Sequence, residues 1–393
     1  MALQSIVLGG SSNIYVSQNH IYIINAIYDR EDISDTNAGK KAFKKYQSKR
    51  YKNEKVALDE YDKEYVKQYI KENNLDIQFQ DIEAYKDTGA YQSTTRTEIV
   101  KFTYDKGEVS FIADKKVEGH AEDNLSFDEK DDYLRCVTTE SSDKTIETAI
   151  KCYDKDGKFL FDILKESEYI GNTEDTNNVF VLDKKLNIAA QINNLAKGER
   201  IYSARYLGDY GYFVTYEQTD PLFSVDFSDM EHPQIIGELK MPGYSEYLHF
   251  YGENKLFGFG VEEGTESNQL KLEMYDLKDG KAEKEAKKLL KNYSYSESLY
   301  NYKSIMVDPE KNLIGFAAEE AFASDWNQYY VVYSYNNNKF QELYKIKINQ
   351  NAYAVRGFYI GNYLYVVAPE YGVYAINMET YSDDNKVKYI DLK

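Results

Sequence analysis

Apolar and polar residues alternate along most of the chain, in pairs of short runs joined by tight polar turns. This period of two is typical of β-hairpins. Six hairpin sequences recur in order along the chain: IYVSQNHIYII, LSFDEKDDYLRCV, ARYLGDYGYFVTY, LHFYGENKLFGFG, IMVDPEKNLIGFA and GFYIGNYLYVVA. Patterns with helical spacing are almost absent from these regions, so the α/β classes are excluded.

Two further strand-like runs follow each hairpin. After the third hairpin, for example, they are PLFSVDFSD and QIIGELKM, and only the fourth run of the fourth unit, AEKEAKKLL, is a poor strand sequence. Where insertions are small, the unit recurs every 45 to 55 residues or so, which is the spacing of propeller blades. We therefore predict an all-β, six-bladed β-propeller of four-stranded antiparallel blades. Seven blades are the alternative, if residues 1 to 12 complete a further sheet.

Two insertions interrupt this pattern, residues 31–93 in blade 1 and residues 140–176 in blade 2. The first contains apolar and aromatic residues at helical spacing: Leu58, Tyr61, Tyr65, Val66, Tyr69 and Ile70. These positions predict an amphipathic helix from about Val56 to Lys71. The expected organisation is a single domain over residues 1–393, with a charged, partly helical insertion at 31–93 and a second one at 140–176.

A basic run precedes the predicted helix. The sequence KKAFKKYQSKRYKNEK, residues 40–55, holds eight Lys or Arg and one Glu. It is either a solvated or mobile loop or a site for an anionic polymer. The sequence leaves both interpretations open.

The long connections predict which face carries a binding site. In a four-stranded blade, the connections between strands two and three and between blades emerge on one face. All the long connections belong to this set: 31–93, 140–176, 261–268, 291–302 and 318–328. Since binding residues lie preferentially on variable loops held by a rigid scaffold, we expect any site on this face, around the channel mouth.

Composition excludes several classes of protein. With 48 Lys and Arg against 66 Asp and Glu, the chain of 393 residues has a net charge of −18, which argues against a general nucleic-acid binder. No stretch is long and apolar enough to span a membrane. The N-terminal MALQSIVLGG lacks the features of an export signal, so the protein is either cytosolic or has had its signal removed.

The segment from Gly198 to Gly260 resembles a known family. ERIYSARY, TDPLFSVD, IGELKMPGYSEYLH and YGENKLFGFG match the pattern of bacterial and archaeal secreted proteins with a C-terminal β-propeller distantly related to WD-40 repeats. Weaker matches flank it on both sides, although Phe250 stands where that family usually has proline. The resemblance implies export and an extracellular or cell-surface location. It brings no established activity and no catalytic residues.

Candidate catalytic and metal chemistry is sparse. The four histidines are scattered over different blades, so no zinc motif is present, and no catalytic residue is assigned. No cofactor is expected; weak Ca²⁺ binding stays open at the acidic turns near Asp154 and Asp156 and at 128–132. Cys136 and Cys152 are either ordinary thiols or one disulfide, if LRCVTTE and ETAIKCYD form a hairpin centred near Lys144.

Arginines, a histidine and aromatic residues supply the binding candidates. Arginines near the channel are either partners of buried carboxylates or an anion site, and aromatic rings among polar side chains are typical of sugar or peptide sites. The candidates are Arg200, Arg205, Tyr244, His249, Tyr293, Tyr295, Trp326, Tyr329 and Arg356.

From these features we predict a monomeric, non-catalytic extracellular module that recognises a glycan or a protein at the bacterial cell surface. A secreted enzyme acting on a polysaccharide or peptide at the channel mouth is the alternative, and a structural spacer in a larger envelope protein is the third hypothesis.

Overall fold

The computed structural model describes residues 12–46, 48–216, 220–241, 244–262, 269–320, 327–348, 352–369, 371–381 and 387–391. Before residue 120 the helices and strands are β1 (Ser12–Val16), β2 (His20–Asp32), α1 (Asn37–Lys45), β3 (Glu54–Lys55), α2 (Glu60–Glu72), β4 (Glu83–Asp105) and β5 (Glu108–Glu118). The strands up to residue 195 are β6 (Phe127–Lys130), β7 (Tyr133–Glu140), β8 (Ser142–Tyr153), β9 (Phe159–Asn172), β10 (Thr176–Leu182) and β11 (Ile188–Leu195).

The second half contains strands in regular succession. They are β12 (Arg200–Leu207), β13 (Tyr210–Tyr216), β14 (Asp220–Asp226), β15 (Gln234–Met241), β16 (Tyr244–Phe250), β17 (Lys255–Glu262), β18 (Gln269–Lys278) and β19 (Lys281–Leu290). The last strands are β20 (Tyr293–Tyr295), β21 (Met306–Asp308), β22 (Leu313–Glu320), β23 (Gln328–Asn336), β24 (Lys339–Ile348), β25 (Arg356–Ile360), β26 (Tyr363–Ala368), β27 (Gly372–Asn377) and β28 (Lys388–Asp391).

These strands form antiparallel sheets that follow one another along the chain. Sheet 1 contains β1, β2, β4 and β5, sheet 2 contains β6, β7, β10 and β11, and sheets 3 and 4 are β12–β15 and β16–β19. Sheet 5 contains β20–β24 and sheet 6 contains β25–β28. The prediction of an all-β fold built from antiparallel four-stranded sheets is confirmed. The weak run AEKEAKKLL forms β19, because a full ladder with β18 outweighs its poor strand propensity.

Apolar side chains pack between consecutive sheets. Tyr22 and Phe180 lie between sheets 1 and 2, Phe213 between sheets 2 and 3, and Phe259 and Phe316 between sheets 4 and 5. Further apolar clusters lie between sheets 3 and 4 and between sheets 5 and 6. Each inner sheet is therefore covered on both faces by its neighbours, which is why both faces of its strands are apolar or aromatic.

The two insertions pair with each other. The first half of the long strand β4 pairs with β8, and β8 pairs with β9, so both segments extend sheet 1 outward. We call this region, residues 33–94 and 142–173, the accessory lobe. The division into one domain with two insertions stays a prediction, but the strand pairing between the insertions was not anticipated, because it joins residues far apart in sequence.

Helices α1 and α2 cover one face of the accessory lobe. Val66 of α2 packs against Ala84, Ile150 and Phe161. Helix α2 lies close to the position of the helix that the periodicity predicts. Asp59 caps α2, accepting a hydrogen bond from the backbone of Asp62 at 2.8 Å, so the helix begins later than expected. The first part of the basic run forms α1 and is not a loop.

The hairpin proposed for the two cysteines is wrong. Strand β7, which carries Cys136, pairs with β6 and β10, whereas β8, which carries Cys152, pairs with β4 and β9. Only Ser141 separates β7 from β8, so the chain passes from sheet 2 to the accessory lobe without turning back. Both thiols are free and buried, and burial raises the pKa of Cys136 to about 12 and of Cys152 to about 11.

A buried ion cluster lies on sheet 4. The Glu273 carboxylate is fully buried and accepts hydrogen bonds from Tyr275 at 2.7 Å and Ser245 at 3.2 Å. The ammonium groups of Lys271 and Lys284 lie 3.2 Å and 2.5 Å from its oxygens. Burial alone would raise the pKa of Glu273, but these two cations hold it below its ordinary value.

Replacing this carboxylate should therefore destabilise the fold strongly. Glu273→Gln removes the nearest anion of the buried Lys271 ammonium, whose other carboxylate neighbour, Glu262, lies at 3.9 Å, and we expect the free energy of unfolding at neutral pH to fall by about 3–5 kcal/mol. Urea denaturation measures this. The control is Glu283→Gln, whose partner Lys278 is 60% exposed and whose loss should cost less than about 1 kcal/mol. Equal losses in the two variants would contradict the assignment.

Candidate functional site

A cleft opens where the chain enters sheets 2 to 5. Its volume is about 340 Å³, and its walls come from residues within four segments, 122–123, 202–205, 246–247 and 299–303. We call it the mouth cleft. Each segment belongs to a first strand or to the connection before it, which is the side of the sheets where the sequence predicts the site.

A broken strand shapes one wall of the mouth cleft. The first strand of sheet 5 is split into β20 and β21, and both pieces pair with β22. Between them the chain makes two short 3-10 turns, Glu297–Leu299 and Tyr302–Ser304, capped by the side chains of Ser296 and Asn301. The break lets Tyr300 project from the sheet, and its side chain is 70% exposed.

Arg205 lies at the inner end of the mouth cleft. Its side chain is 8% exposed, and its guanidinium carbon lies 4.9 Å from the centre of the Tyr247 ring. One Nη1–H donates to the carbonyl of Ala204 at 2.6 Å. Within the described ranges no ion pair joins this guanidinium to a carboxylate, although the nearby Asp123 and Tyr247 interact with its charge.

The pKa values of two carboxyl groups that line the mouth cleft with Arg205 are raised, which favours their protonated form. Burial raises the pKa of Glu122, and burial also raises that of Asp123 against the opposing effect of Arg205. Asp123 caps the short turn that follows it, accepting a hydrogen bond from the Leu125 backbone at 2.8 Å. Of the two, Asp123 therefore has a structural role, and Glu122 is the carboxyl group more available to a ligand.

A second cavity of about 680 Å³ continues from the same residues. Arg205, Tyr247 and Tyr302 line both cavities, and His249 lines the second. The hydroxyl of Tyr247 lies 2.7 Å from Nδ1 of His249, and the two rings stack. Burial, followed by the charge of Arg205, lowers the pKa of His249 from 6.5 to about 4, so the imidazole is neutral at neutral pH.

Exposed tyrosines lie at the mouth cleft and next to it: Tyr202 and Tyr300 line the cleft, and Tyr295 lies beside Tyr300. The rings of Tyr295 and Tyr300 lie 6.3 Å apart, and these side chains are 41% and 70% exposed. Tyr202 lines the cleft and is also exposed, and Tyr353 lies near enough to Tyr295 to influence its hydroxyl. We call Tyr202, Tyr295, Tyr300 and Tyr353 the tyrosine rim.

The structure separates the other candidate residues. Arg200 is paired with Asp175, and Arg356 with Glu297 at 3.2 Å, whereas Arg205 lines both cavities described above. Tyr293 is buried between sheets 4 and 5, where its ring lies 6.3 Å from that of Tyr329. The last two candidates are Tyr244 and Trp326. The side chain of Tyr244 and the whole of Trp326 lie outside the described residues.

Sequence reasoning missed several residues of the mouth cleft. Glu122, Asp123, Tyr202, Glu246 and Tyr247 were not among the candidates, although each lies close to a connection between units. The sequence signal that could have identified Glu122 and Asp123 is the run EDN, residues 122–124, which lies just before the second hairpin. Their convergence depends on how neighbouring sheets pack, which a single sequence does not specify.

Three comparisons place the chain among known proteins. A family model described as Beta propeller domain matches residues 2–381. An uncharacterised protein of Archaeoglobus fulgidus is 37% identical over 196 residues, covering 50% of this chain and 29% of that protein. Protein MJ1554 of Methanocaldococcus jannaschii, also uncharacterised, is 32% identical over 269 residues, covering 68% of this chain and 36% of that protein.

The chain thus spans about a third of the length of these curated relatives. Among solved structures, a provisionally assigned 6-phosphogluconolactonase from Bacteroides uniformis aligns with a TM-score of 0.35 and 13% identity, covering 74% of this chain and 90% of that one. No helix of the described residues is long and apolar enough to cross a membrane.

His249 should make stability depend on pH. Below pH 6.5 the unfolded chain takes up a proton at this imidazole, whereas the folded chain does so only near pH 4, so stability falls as the pH falls through this window. The loss should reach up to about 3 kcal/mol and be absent in His249→Gln. Urea denaturation across the pH range measures it. The control, His232→Gln, removes an exposed imidazole and should keep the full pH dependence of stability. If His249→Gln also kept the full pH dependence, the assignment would be contradicted.

Proposed function

Because the chain belongs to the β-propeller domain family, we propose that it is a non-catalytic, extracellular binding module that recognises a glycan or a protein at the cell surface. In this proposal the six sheets are the six blades of one closed ring, and the ligand lies in the mouth cleft. The sequence resemblance to secreted propellers supports the extracellular location. The module is a monomer with no resident cofactor and no nucleic-acid partner.

The tyrosine rim is the observation that carries this proposal. What distinguishes these rings from the other exposed aromatic residues is their position, because Tyr202 and Tyr300 line the cleft together with the carboxylates of Glu122 and Glu246. A ring offers an apolar face on which a sugar or a peptide side chain can stack. The carboxylates of Glu122 and Glu246 can accept hydrogen bonds from hydroxyl or amide groups of the ligand.

Arg205 adds a positive group at the inner end of the cleft. A guanidinium that is nearly buried and stacked on Tyr247 is held in a fixed direction, so it can orient a ligand oxygen with little loss of entropy. The combination of outer rings, carboxylates and an inner cation suits a polar, hydroxyl-rich ligand. Calcium is not part of this proposal, because the Asp154 side chain already accepts backbone hydrogen bonds from Asp156 and Lys158 within its turn.

A secreted enzyme acting on a polysaccharide or peptide is the second candidate. The raised pKa values of Glu122 and Asp123 favour it, since a raised pKa makes a carboxyl group more suitable as a general acid. Asp123 is occupied as a cap, which leaves Glu122 as the group to test. The binding experiment described below also tests this alternative. If the unaltered chain cleaved the ligand and released products, and Glu122→Gln did not, the result would support an enzyme over a binding module.

Loss of one rim tyrosine should weaken ligand binding. We expect a panel of oligosaccharides, cell-wall fragments and peptides to contain a ligand that raises the midpoint of thermal unfolding saturably. Tyr300→Ala should reduce its affinity by about three- to tenfold, which corresponds to about 0.5–1.5 kcal/mol for one lost aromatic contact. Titration calorimetry with the selected ligand measures this change.

The matched control for this experiment is Tyr28→Ala. Tyr28 is 73% exposed, close to the value for Tyr300, but it lies on β2 and not at the mouth cleft. The proposal requires unchanged affinity in the control and reduced affinity in Tyr300→Ala. Equal affinities in the two variants, or no ligand in the whole panel, would argue against a binding site at the mouth cleft.

A further inference from the structure

The accessory lobe carries a concentrated positive charge on an otherwise acidic protein. Residues 40–55 hold eight basic residues and one acidic residue, while the whole chain has a net charge of −18. Most of this charge lies on α1 and in the segment that follows it. Lys40, Lys41, Lys44, Lys45 and Lys49 are all exposed.

These lysines are not neutralised by the rest of the described chain. None of the five has an ion pair within the ranges that the structure describes. In the same segment, Arg50 and Lys52 share Asp35, with Nη1 of Arg50 2.6 Å from its carboxylate, and Lys55 pairs with Glu83 at 2.8 Å. The uncompensated charge is thus confined to α1 and Lys49.

The two helices of the lobe are built differently. Helix α2 has acidic residues in its first turn and pairs Glu60 with Lys63 and Glu64 with Lys67. Helix α1 has no acidic residue in its first turn, and its lysines stand four apart, so that like charges repel along the helix. The repulsion between lysines four residues apart lowers the stability of α1, although Lys44 and Lys45 in its last turn interact favourably with the helix dipole.

The apolar side of α1 packs against the sheet beneath it. Phe43 and Tyr46 pack against the cluster around Ile33 and Ala90, and the Tyr46 hydroxyl donates to the carbonyl of Ile170 at 3.1 Å. None of the described residues in 37–55 is an exposed large hydrophobic residue. The outer surface of α1 therefore offers charge and little apolar area, which does not suit insertion into a lipid surface.

Tyrosine rings border the charged surface. The Lys49 and Lys86 ammonium groups lie 4.3 Å and 4.2 Å from the centre of the Tyr51 ring, and that of Lys45 lies 4.9 Å from the centre of the Tyr46 ring. These contacts hold the ammonium groups in place beside partly exposed aromatic faces. Cations next to aromatic rings suit a chain whose units carry both a negative charge and an apolar ring face.

We propose that this surface binds a flexible acidic polysaccharide, at a site separate from the mouth cleft. A flexible polysaccharide can contact the lysines of α1 and then bend away into solvent. It therefore does not approach the acidic surface of the rest of the protein. A rigid duplex would bring its phosphates against that acidic surface as well, and its higher charge density would increase the repulsion.

Charge neutralisation on α1 tests this proposal. The probe is fluorescently labelled polygalacturonate, and its binding to the full chain is measured by fluorescence anisotropy from about 0.05 to about 0.2 M salt. The variant combines Lys40→Gln, Lys41→Gln, Lys44→Gln and Lys45→Gln, because glutamine keeps helix propensity while it removes charge. We expect at least a tenfold loss of affinity at low salt and a slope of log Kd against log salt reduced by about three.

The control removes the same number of charges elsewhere. It combines Lys106→Gln, Lys155→Gln, Lys184→Gln and Lys185→Gln, which are exposed lysines in other turns. It should bind the polygalacturonate as the unaltered chain does. The α1 variant should unfold at the same temperature as the unaltered chain or a higher one, because repulsion within α1 is relieved.

Several results would overturn the proposal. They are the absence of binding to polygalacturonate at low salt, an equal loss of affinity in the control variant, and an unchanged affinity in the α1 variant. Duplex DNA or anionic phospholipid vesicles that bind more tightly than polygalacturonate, with the same dependence on the α1 lysines, would assign the surface to a different class of polyanion.

Discussion

Each inner sheet must bury both of its faces against neighbouring sheets, and most of the structure depends on this constraint. Aromatic side chains such as Phe259 and Phe316 fill the space between sheets, which accounts for the high tyrosine and phenylalanine content. The same constraint explains the ion cluster around Glu273. A polar group on a covered face needs partners from its own sheet, and Ser245, Lys271, Tyr275 and Lys284 supply them.

Much of the sheet architecture could be predicted, because it is a local property of the sequence. A hairpin such as ARYLGDYGYFVTY specifies its own pairing through its alternation and its turn. The pairing of β4 with β8 could not be predicted in this way, since it joins residues far apart in sequence, such as Ala84 and Cys152. The error about Cys136 and Cys152 has the same origin: two strands adjacent in sequence were taken to be adjacent in space.

The candidate site was only partly accessible to sequence reasoning. Tyr293 and Tyr295 were recognised as candidates, but alternation alone could not show that Tyr293 points into the core while Tyr295 and Tyr300 face solvent. A register shift within β20, where Tyr293 pairs with Glu320 and Tyr295 with Glu319, separates the first two rings. The break between β20 and β21 places Tyr300, and no single residue signals either feature. Glu122 and Asp123 were missed because a carboxyl group becomes notable only when neighbouring sheets desolvate it.

The mouth cleft and the α1 surface illustrate two ways of adding a recognition surface without disturbing a covered sheet. At the mouth cleft an inner strand is interrupted, and the loop that results keeps its caps from Ser296 and Asn301 while Tyr300 becomes free to contact a ligand. On the accessory lobe, α1 packs through Phe43 and Tyr46, so that its lysines contribute nothing to the core. Because the residues that support each surface differ from those that would contact a ligand, either surface can change in sequence while the sheets beneath it keep their packing.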